Sequence, residues 1–403
     1  YRMTRLPSVL LSENNDMENK HLDKVKRIFC ISDLHTDHIG NLEWLDAKCS
    51  APHETLPMKD DLLIIAGDIS HEFSKFSETI EILQKLDCHL FFVPGNHEAW
   101  VKGDDDLSDS IEKLQAIDTL CAQMGVYTGE ICVGQASKHP LWVLPLHGWY
   151  DGTLTIEGCA EFCEGFGFWP WTDFVRCKWP SQFPPIERHE ENGRIPSGLV
   201  EYFIEMNKSS VDTVQNALLS MRGDNSRTGV MTVSHFLPNS QCLPDWKDVK
   251  SPTFLRDEWF DHGAPDISAK FAKVAGSSLL DDQIRSVVPS GRTERHLHVF
   301  GHSHRPKDFE FDGIRYVHNP LGKPREREMH MVDPNVDFQL MWDTSTGEVA
   351  GKQIIRYWDE YGGGVDALRE RMKARRPHRY NRKYGKAQTA AEKKARAQKH
   401  LSE

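Results

Sequence analysis

Five times along the chain a short apolar run stops abruptly at a carboxylate, an amide or a histidine. The runs are "VKRIFCISDLH" (25–35), "DDLLIIAGDIS" (60–70), "CHLFFVPGNHE" (88–98), "TGVMTVSHFLP" (228–238) and "RHLHVFGHSH" (295–304). Continuous apolar runs of this length read as strands buried on both faces, and the polar residues after them as the loops that leave those strands. Between the second and third runs, "SKFSETIEILQKL" (74–86) sets Phe76, Ile80 and Leu83 at helical spacing. Leu62 to Val93 is therefore a strand-helix-strand unit, which predicts parallel strands and a right-handed crossover. In such sheets ligands gather at the carboxyl ends of the strands.

The rest of the pattern is less regular. "DDDLSDSIEKLQAIDTLCAQMG" (104–125) predicts an amphipathic helix with an acidic start and Gly125 as its stop. Strands are expected in "YTGEICVG" (127–134) and "PLWVLPLHGWY" (140–150), and they make the sheet mixed. Residues 151 to about 195, dense in Phe, Trp, Gly and Pro, lack a period and read as a folded insertion. Its aromatics are expected to pack on one another rather than to form a substrate platform, although beside a cleft such a loop would serve as a lid. A helix is expected over 210–221 and another near 279–287, with an irregular stretch over 251–263 and hairpins in 309–322 and 338–358. No internal repeat is present.

Bulk properties narrow the classes. A chain of 403 residues buries enough apolar surface to need no disulfide staples, and no run approaches the roughly 20 apolar residues of a membrane span. The nine cysteines are odd in number, scattered and without a CxxC pair. That is poor material for a secreted disulfide framework or a thiolate zinc site and favours a reducing, intracellular and cytoplasmic setting. Residues 1–24 read as a trimmed, flexible leader, a reading that leaves room for an organelle-targeting segment removed before it. The formal charge of −11 is unevenly spread, because 363–403 carries 13 Lys and Arg against 4 Asp and Glu. An acidic body argues against a nucleic-acid surface there, while the basic tail is expected to be exposed or disordered. Plain solubilisation explains the tail, and contact with an acidic partner or nucleic acid is the alternative.

Collected in order, the strand ends carry Asp33, His35, Asp68, Asn96, His97, His235, His302 and His304. Oxygen and imidazole donors without thiolates suit Mn, Fe, Zn or Mg. His296 and His298 alternate along an apolar run and need no ligand to explain them, whereas His302 and His304 sit in a Gly-His-Ser-His turn. Those two could serve two ions or opposite sides of one site. Asp68, central in order and preceded by a glycine, is the candidate bridge between two cations. Two cations would stabilise a phosphoryl group and generate a bridging hydroxide as nucleophile, with an imidazolium protonating the departing alkoxide.

The blocks "DLH", "GD", "GNHE", "SH" and "GHSH" together resemble the calcineurin-like metallophosphoesterase superfamily, over roughly Arg27 to Gly322. The resemblance implies an α/β fold, a four-layer α/β/β/α sandwich of two mixed sheets flanked by helices, spanning residues 25–362. It implies two divalent or trivalent ions, with Asp33, His35, Asp68 and His304 around one and Asp68, Asn96, His235 and His302 around the other. His97 would stay off the metals as general acid or phosphate clamp. The activity implied is binuclear hydrolysis of a small phosphodiester or phosphomonoester. A protein or nucleotide phosphomonoesterase and a non-catalytic metal-binding scaffold are the alternatives. "GDISHEFSK" lacks the arginine of the GDxVDRG block of protein serine/threonine phosphatases, and Ser70-His71 with a retained His35 departs from purple acid phosphatases. Around the site, Asp37, His38, His147 and Arg305 are candidate substrate contacts, and Lys307 could also attract phosphate. Glu98 and His71 either orient ligands or lie on the surface.

Overall fold

The computed structural model of the protein describes residues 21–51, 53, 55–102, 107–156, 160–185, 194–221, 227–244, 265–292 and 294–375. Within them the chain runs β1 (His21–Leu22), β2 (Arg27–Ile31), α1 (Ile39–Ser50), β3 (Asp61–Ala66), α2 (Phe73–Gln84), β4 (His89–Val93), α3 (Ser110–Gln123), β5 (Val126–Tyr127), β6 (Ile131–Val133), β7 (Leu141–Pro145), α4 (Asp173–Arg176) and α5 (Leu199–Ser220). It continues with β8 (Gly229–Val233), α6 (Pro265–Lys273), α7 (Ser278–Val287), β9 (Arg295–Val299), β10 (Lys307–Phe311), β11 (Ile314–His318), α8 (Pro324–Glu328), β12 (Gln339–Asp343), β13 (Gly347–Glu348), α9 (Tyr357–Glu360) and α10 (Gly364–Arg375).

Two mixed sheets result, ordered β13-β12-β2-β3-β4-β5 and β1-β6-β7-β8-β9-β11-β10. Strands β2 to β5 are mutually parallel, with β12 antiparallel at the side of β2. In the other sheet β7, β8, β9 and β11 are parallel, and β6 and β10 antiparallel. Side-chain alternation builds the layers. Ile28, Cys30, Leu62 and Ile64 meet Met231, Val233, Leu297 and Val299 between the sheets. Phe29, Ile31, Leu63 and Ile65 turn outward onto Leu45, Phe76, Ile80 and Ile117 of α1, α2 and α3. Trp142, Leu144 and Val230 of the second sheet pack with Phe203, Val214 and Leu218 of α5 and Ile284 of α7. Helix, sheet, sheet and helix therefore lie in four layers, the sandwich expected from the sequence.

Several elements depart from the sequence reading, each for a local reason. α5 begins at Leu199 rather than Ser210. Its buried stripe is interrupted by Asn207, a polar residue that spoils the apolar period but folds inward to bracket the His147 backbone, accepting from its N–H at 2.9 Å and donating to its carbonyl at 2.8 Å. α1 and α6 were not expected as helices. "YTGEICVG" is not one strand: β5 joins the first sheet and β6 the second, so the chain changes sheets at Gly129-Glu130. The 338–358 hairpin has a return strand of only two residues. At the carboxyl end α10 docks through Arg371, whose Nη1 donates to the carbonyls of Gly362 at 2.8 Å and Met329 at 3.3 Å. The expected leader up to residue 20, the irregular stretch 251–263 and the basic tail beyond 375 lie outside the described residues. Among those described, no helix is long and apolar enough to cross a membrane.

His296 and His298 belong to this framework. They lie on the outward face of β9, with the Thr232 hydroxyl 3.2 Å from His296 Nε2 and 2.9 Å from His298 Nδ1. Burial pushes both imidazoles down, His296 to about 3. The unfolded chain takes up a proton near the ordinary histidine value of 6.5, and the folded chain refuses it until about 3. Stability therefore falls as pH drops through that window, by about 1.4 kcal/mol per pH unit for each such group. His296→Gln should flatten the dependence of unfolding free energy on pH by about one proton between roughly pH 6 and 4. Denaturant titrations at fixed pH measure that slope.

Candidate metal centre

Every donor singled out from the sequence sits where a parallel strand ends. Asp33 and His35 follow β2, Asp68 follows β3, and Asn96 and His97 follow β4; His235 follows β8, and His302 and His304 follow β9. The loops keep pairing beyond the strands: Asp33 N donates to Gly67 O at 3.0 Å, His35 N to Asp68 O at 2.9 Å, and Gly301 N to His235 O at 2.9 Å. These bonds carry the pairing of each sheet into its loops, and the bonds from His235 Nδ1 to the Ala66 carbonyl at 3.0 Å and from His302 N to Asp33 Oδ1 at 2.9 Å bring the carboxyl ends of the two sheets together. Asp33, His35, Asp68, His302 and His304 all hold left-handed backbone, with φ between 44° and 74°. Non-glycine residues enter that region at a cost of about 1 kcal/mol each, and a cluster of them marks a site that the surrounding fold enforces. Two glycines make room for it. A Cβ on Gly67 would lie 2.3 Å from His235 Nδ1, and one on Gly95 2.3 Å from Asp68 Oδ1.

On one side, Asp33, His35, Asp68 and His304 offer nitrogen and oxygen atoms that all lie within 4.8 Å of one another. His35 Nε2 and His304 Nε2 are 2.7 Å apart, and His304 Nε2 is 3.4 Å from Asp33 Oδ1. His304 Nδ1 faces the Glu326 carboxylate at 2.8 Å, so it carries the ring proton and Nε2 presents a lone pair inward. Asp33 is clamped by Ser32 Oγ at 2.5 Å, by His302 N at 2.9 Å and by His318 Nε2 at 2.9 Å. Burial would raise the Asp33 carboxyl, but His304 and His318 outweigh it and hold the group below its usual range.

On the other side the donors are Asn96, His235 and His302. His235 Nδ1 donates to the Ala66 carbonyl at 3.0 Å, and His302 Nε2 to the Val274 carbonyl at 3.0 Å. Each ring therefore turns an unprotonated nitrogen inward, since burial holds His302 well below, and His235 at about 4, against the usual 6.5. Asn96 Oδ1 sits 3.1 Å from His235 Nε2 and 2.9 Å from His302 Nδ1. Three lone pairs converge with no proton between them, an arrangement that repels itself unless a cation lies among them. Asp68 stands between the two sets, with Oδ1 3.4 Å from His235 Nε2 and Oδ2 3.8 Å from His35 Nε2. Burial and the nearby Glu98 and Asp33 carboxylates push the Asp68 carboxyl well up. A bound cation is what would offset that crowding of buried acids. The donor set thus fits divalent metal ions.

His97 borders both sets. Its Nε2 is 3.8 Å from Asp68 Oδ2, its Nδ1 is buried without a hydrogen-bond partner, and its ring stacks on Trp100 with centroids 3.7 Å apart. Asp37 and exposed His38 lie at the mouth, where a carboxylate oxygen of Asp37 falls within 4.8 Å of donor nitrogens of His35 and His97. Two of the candidate substrate contacts are placed elsewhere. Arg305 is buried, its Nη1 donating to the His304 carbonyl at 2.7 Å and lying 3.5 Å from Glu326, so it braces the loop from behind. His147 lines a separate cavity of about 390 Å³ between α3 and α5, stacked near Phe203. Lys307 is likewise buried, donating to the carbonyls of Gln241 and Ile355.

Sequence reasoning missed Glu326, His318 and Asp173, which hold His304, Asp33 and Asn96 respectively. No spacing signals them, because each partner comes from a distant segment. Glu98, which the sequence allows either to orient a ligand or to lie on the surface, is fully buried. Its carboxylate accepts from the backbone N–H of Gly95, Asp68, Ile69 and Ser70 at 2.7 to 3.1 Å, tying the β3 and β4 loops together. Burial nonetheless lifts it to about 7. Glu98→Ala strands those four donors and should cost about 3 kcal/mol or more, read as a lower thermal midpoint.

Residues 26–341 match the family model described as calcineurin-like phosphoesterase. The acyl-carrier-protein phosphodiesterase PptH of Mycobacterium tuberculosis is 30% identical over 142 residues, 34% of this chain and 42% of that protein. A protein named as a probable cyclic nucleotide phosphodiesterase, from Coxiella burnetii, is 37% identical over 46 residues, 11% of this chain and 18% of its own length. The matched segments thus span less than half of either curated relative. Among solved structures, the phosphopantetheinyl hydrolase PptH of M. tuberculosis has a TM-score of 0.55 at 19% identity, covering 79% of this chain and 97% of that one, which is a shared fold. A match that runs from before β2 into β12 takes in every strand end that carries a donor, and so the chain belongs to the calcineurin-like phosphoesterases.

Proposed function

We propose that this hydrolase holds two metal ions and cleaves a phosphodiester. Asp33, His35, Asp68 and His304 hold one ion, Asp68, Asn96, His235 and His302 the other, and Asp68 spans the pair. The observation that carries the reading is the convergence of donor atoms on both sides of the Asp68 carboxylate, with proton-free lone pairs of Asn96, His235 and His302 on one side and of His304 on the other. When bound, two such ions neutralise the oxygens of a phosphoryl group and acidify the attacking water. The chain's own residues do the rest. Glu98 fixes the two loops that present Asp68 and Asn96, and the backbone carbonyls of Ala66 and Val274 set the tautomers of His235 and His302. His97 Nε2 delivers a proton to the leaving oxygen.

A diester is favoured over a monoester by charge. With Arg305 turned away onto Glu326, the arginine that would grip a dianion is not at the mouth, and a singly charged diester asks for less. The names of the two curated relatives, both phosphodiesterases, point the same way. The test is hydrolysis of bis-p-nitrophenyl phosphate against p-nitrophenyl phosphate by metal-stripped protein reconstituted with Mn²⁺. Diester turnover that needs the metal is the expected result; a clear preference for the monoester makes the enzyme a phosphomonoesterase, and inactivity on both favours a binding scaffold. A carrier-protein diester and a cyclic nucleotide, the substrates that those relatives' names carry, follow as the next two trials.

A further inference from the structure

Asn96 differs from the other donors in having two ends that look alike in shape and are opposite in chemistry. Its oxygen can meet a cation, and its amide N–H₂ repels one. The backbone at Asn96 is ordinary right-handed helix, so nothing in the main chain selects between the two. The neighbours on the inner side select the wrong one. His235 Nε2 and His302 Nδ1 are both acceptors, and in their company alone the N–H₂ would turn inward to donate to them.

The outer side reverses the choice. Asn96 Nδ2 donates at 2.9 Å to Oδ1 of Asp173, a buried carboxylate that can only accept. The same carboxylate is pinned from two other directions, by Trp100 Nε1 on Oδ1 at 2.7 Å and by Trp171 Nε1 on Oδ2 at 2.9 Å. Asp173 belongs to α4, inside the aromatic insertion. Trp171 of the same insertion meets the His302 ring edge-on at 6.1 Å. The insertion therefore reaches into the donor set by a charge-assisted hydrogen bond as well as by packing.

We propose that Asp173 is a positioning residue that holds the Asn96 amide with its oxygen inward, so that the insertion keeps one half of the site ready for a cation before any arrives. This rests on the two-ion reading above. Asp173→Ala frees the amide to turn and also removes the acceptor of the Trp100 and Trp171 indoles. Replacing Asn96 by aspartate in that background supplies a ligand with no donor end, for which orientation no longer matters.

The test is Mn²⁺ binding to chelator-stripped protein by titration calorimetry, with stoichiometry read independently by metal analysis. Wild type should bind two ions. Asp173→Ala should weaken one of them about 10- to 100-fold and leave the other within a few-fold, the usual scale for losing a ligand's orienting partner. Asp173→Asn, whose single carbonyl oxygen can still accept from Asn96 and Trp100 while its N–H₂ faces the Trp171 Nε1–H, should bind that ion less tightly than wild type and more tightly than Asp173→Ala. The double variant N96D/D173A should recover most of the lost affinity. Unchanged binding in Asp173→Ala overturns the proposal, as does a double variant no better than Asp173→Ala, since the loss would then come from a displaced insertion. Should Asp173→Ala fail to fold, Asp173→Leu, which fills the same space without an acceptor, takes its place: it must bind one ion more weakly, and binding equal to wild type overturns the idea. Wild type binding fewer than two ions sinks the two-ion reading itself, a failure seen before any variant is made.

Discussion

Asp68→Asn should leave the protein with at most one bound ion, and diester turnover should fall by about a thousandfold or more. The two oxygens of Asp68 face opposite donor sets, Oδ1 toward His235 and Oδ2 toward His35. An amide has one oxygen for two places, and its N–H₂ end would project hydrogens where a cation belongs. The metal-free protein should respond in the opposite sense. Asp68 is crowded by Glu98 and Asp33 and its carboxyl is pushed well up by burial and by them, so neutralising it removes a repulsion that the empty fold bears alone. The expected pair of results is lower metal content by elemental analysis after gel filtration, together with a thermal midpoint in chelator equal to or above that of wild type. Two ions and ordinary turnover in the variant would take Asp68 out from between the cations. A lower midpoint in chelator would mean that the carboxylate is needed for the fold itself.

The same tension explains which parts of the molecule the sequence discloses. A parallel strand covered on both faces must be apolar throughout, and the polar residues that follow have nowhere to sit but the loop at its carboxyl end. Five such endings are therefore legible one by one, and the crossover rule carries their carboxyl ends to a common edge in each sheet. The layers follow from the alternation of Phe29 with Ile28 and of Leu63 with Leu62. What fails to show is anything whose meaning depends on a partner far away in the chain. Glu326 sits in "PRERE", a run that looks like solvated helix, yet it fixes the His304 tautomer. Arg305 looks like a phosphate grip beside a ligand, and becomes a brace because that glutamate lies behind it. His318 ends β11 and reads as one more strand residue, although its Nε2 holds Asp33. His147 stands at a strand end like the others, but β7 lies beyond β8 from β9, and its ring opens toward α5 instead. Helix α5 was half seen because Asn207 interrupts its apolar stripe to cap the His147 backbone. In each case the local pattern describes a segment in isolation, and what packs against it decides the role of the residue.

His97→Ala is expected to keep both ions and lose about a hundredfold or more in turnover, with the size of the loss set by the leaving group. The ring is not what places Asp68, because that contact is made by the His97 backbone N–H, which donates to Oδ1 at 3.0 Å and survives truncation. The ring itself stacks on Trp100 and leaves Nδ1 without a partner, so nothing among the metal donors depends on it for orientation. Burial, then Lys323 and His304, hold the imidazole well below the usual histidine range in the free protein. An anionic phosphoester arriving beside it favours the charged imidazolium and raises the fraction protonated, which ties the acid to the presence of its substrate. A nitrophenolate departs readily without a proton, so the variant should lose little on an activated aryl diester and much on an alkyl one. The alkaline limb of wild-type kcat against pH should flatten in the variant on the alkyl substrate, since the group whose deprotonation produces it is gone. Metal analysis, two substrates and a pH series therefore separate the possibilities. Equal losses on both substrates would make His97 a binding group for phosphate rather than the proton donor, and loss of both ions would make it part of the metal site.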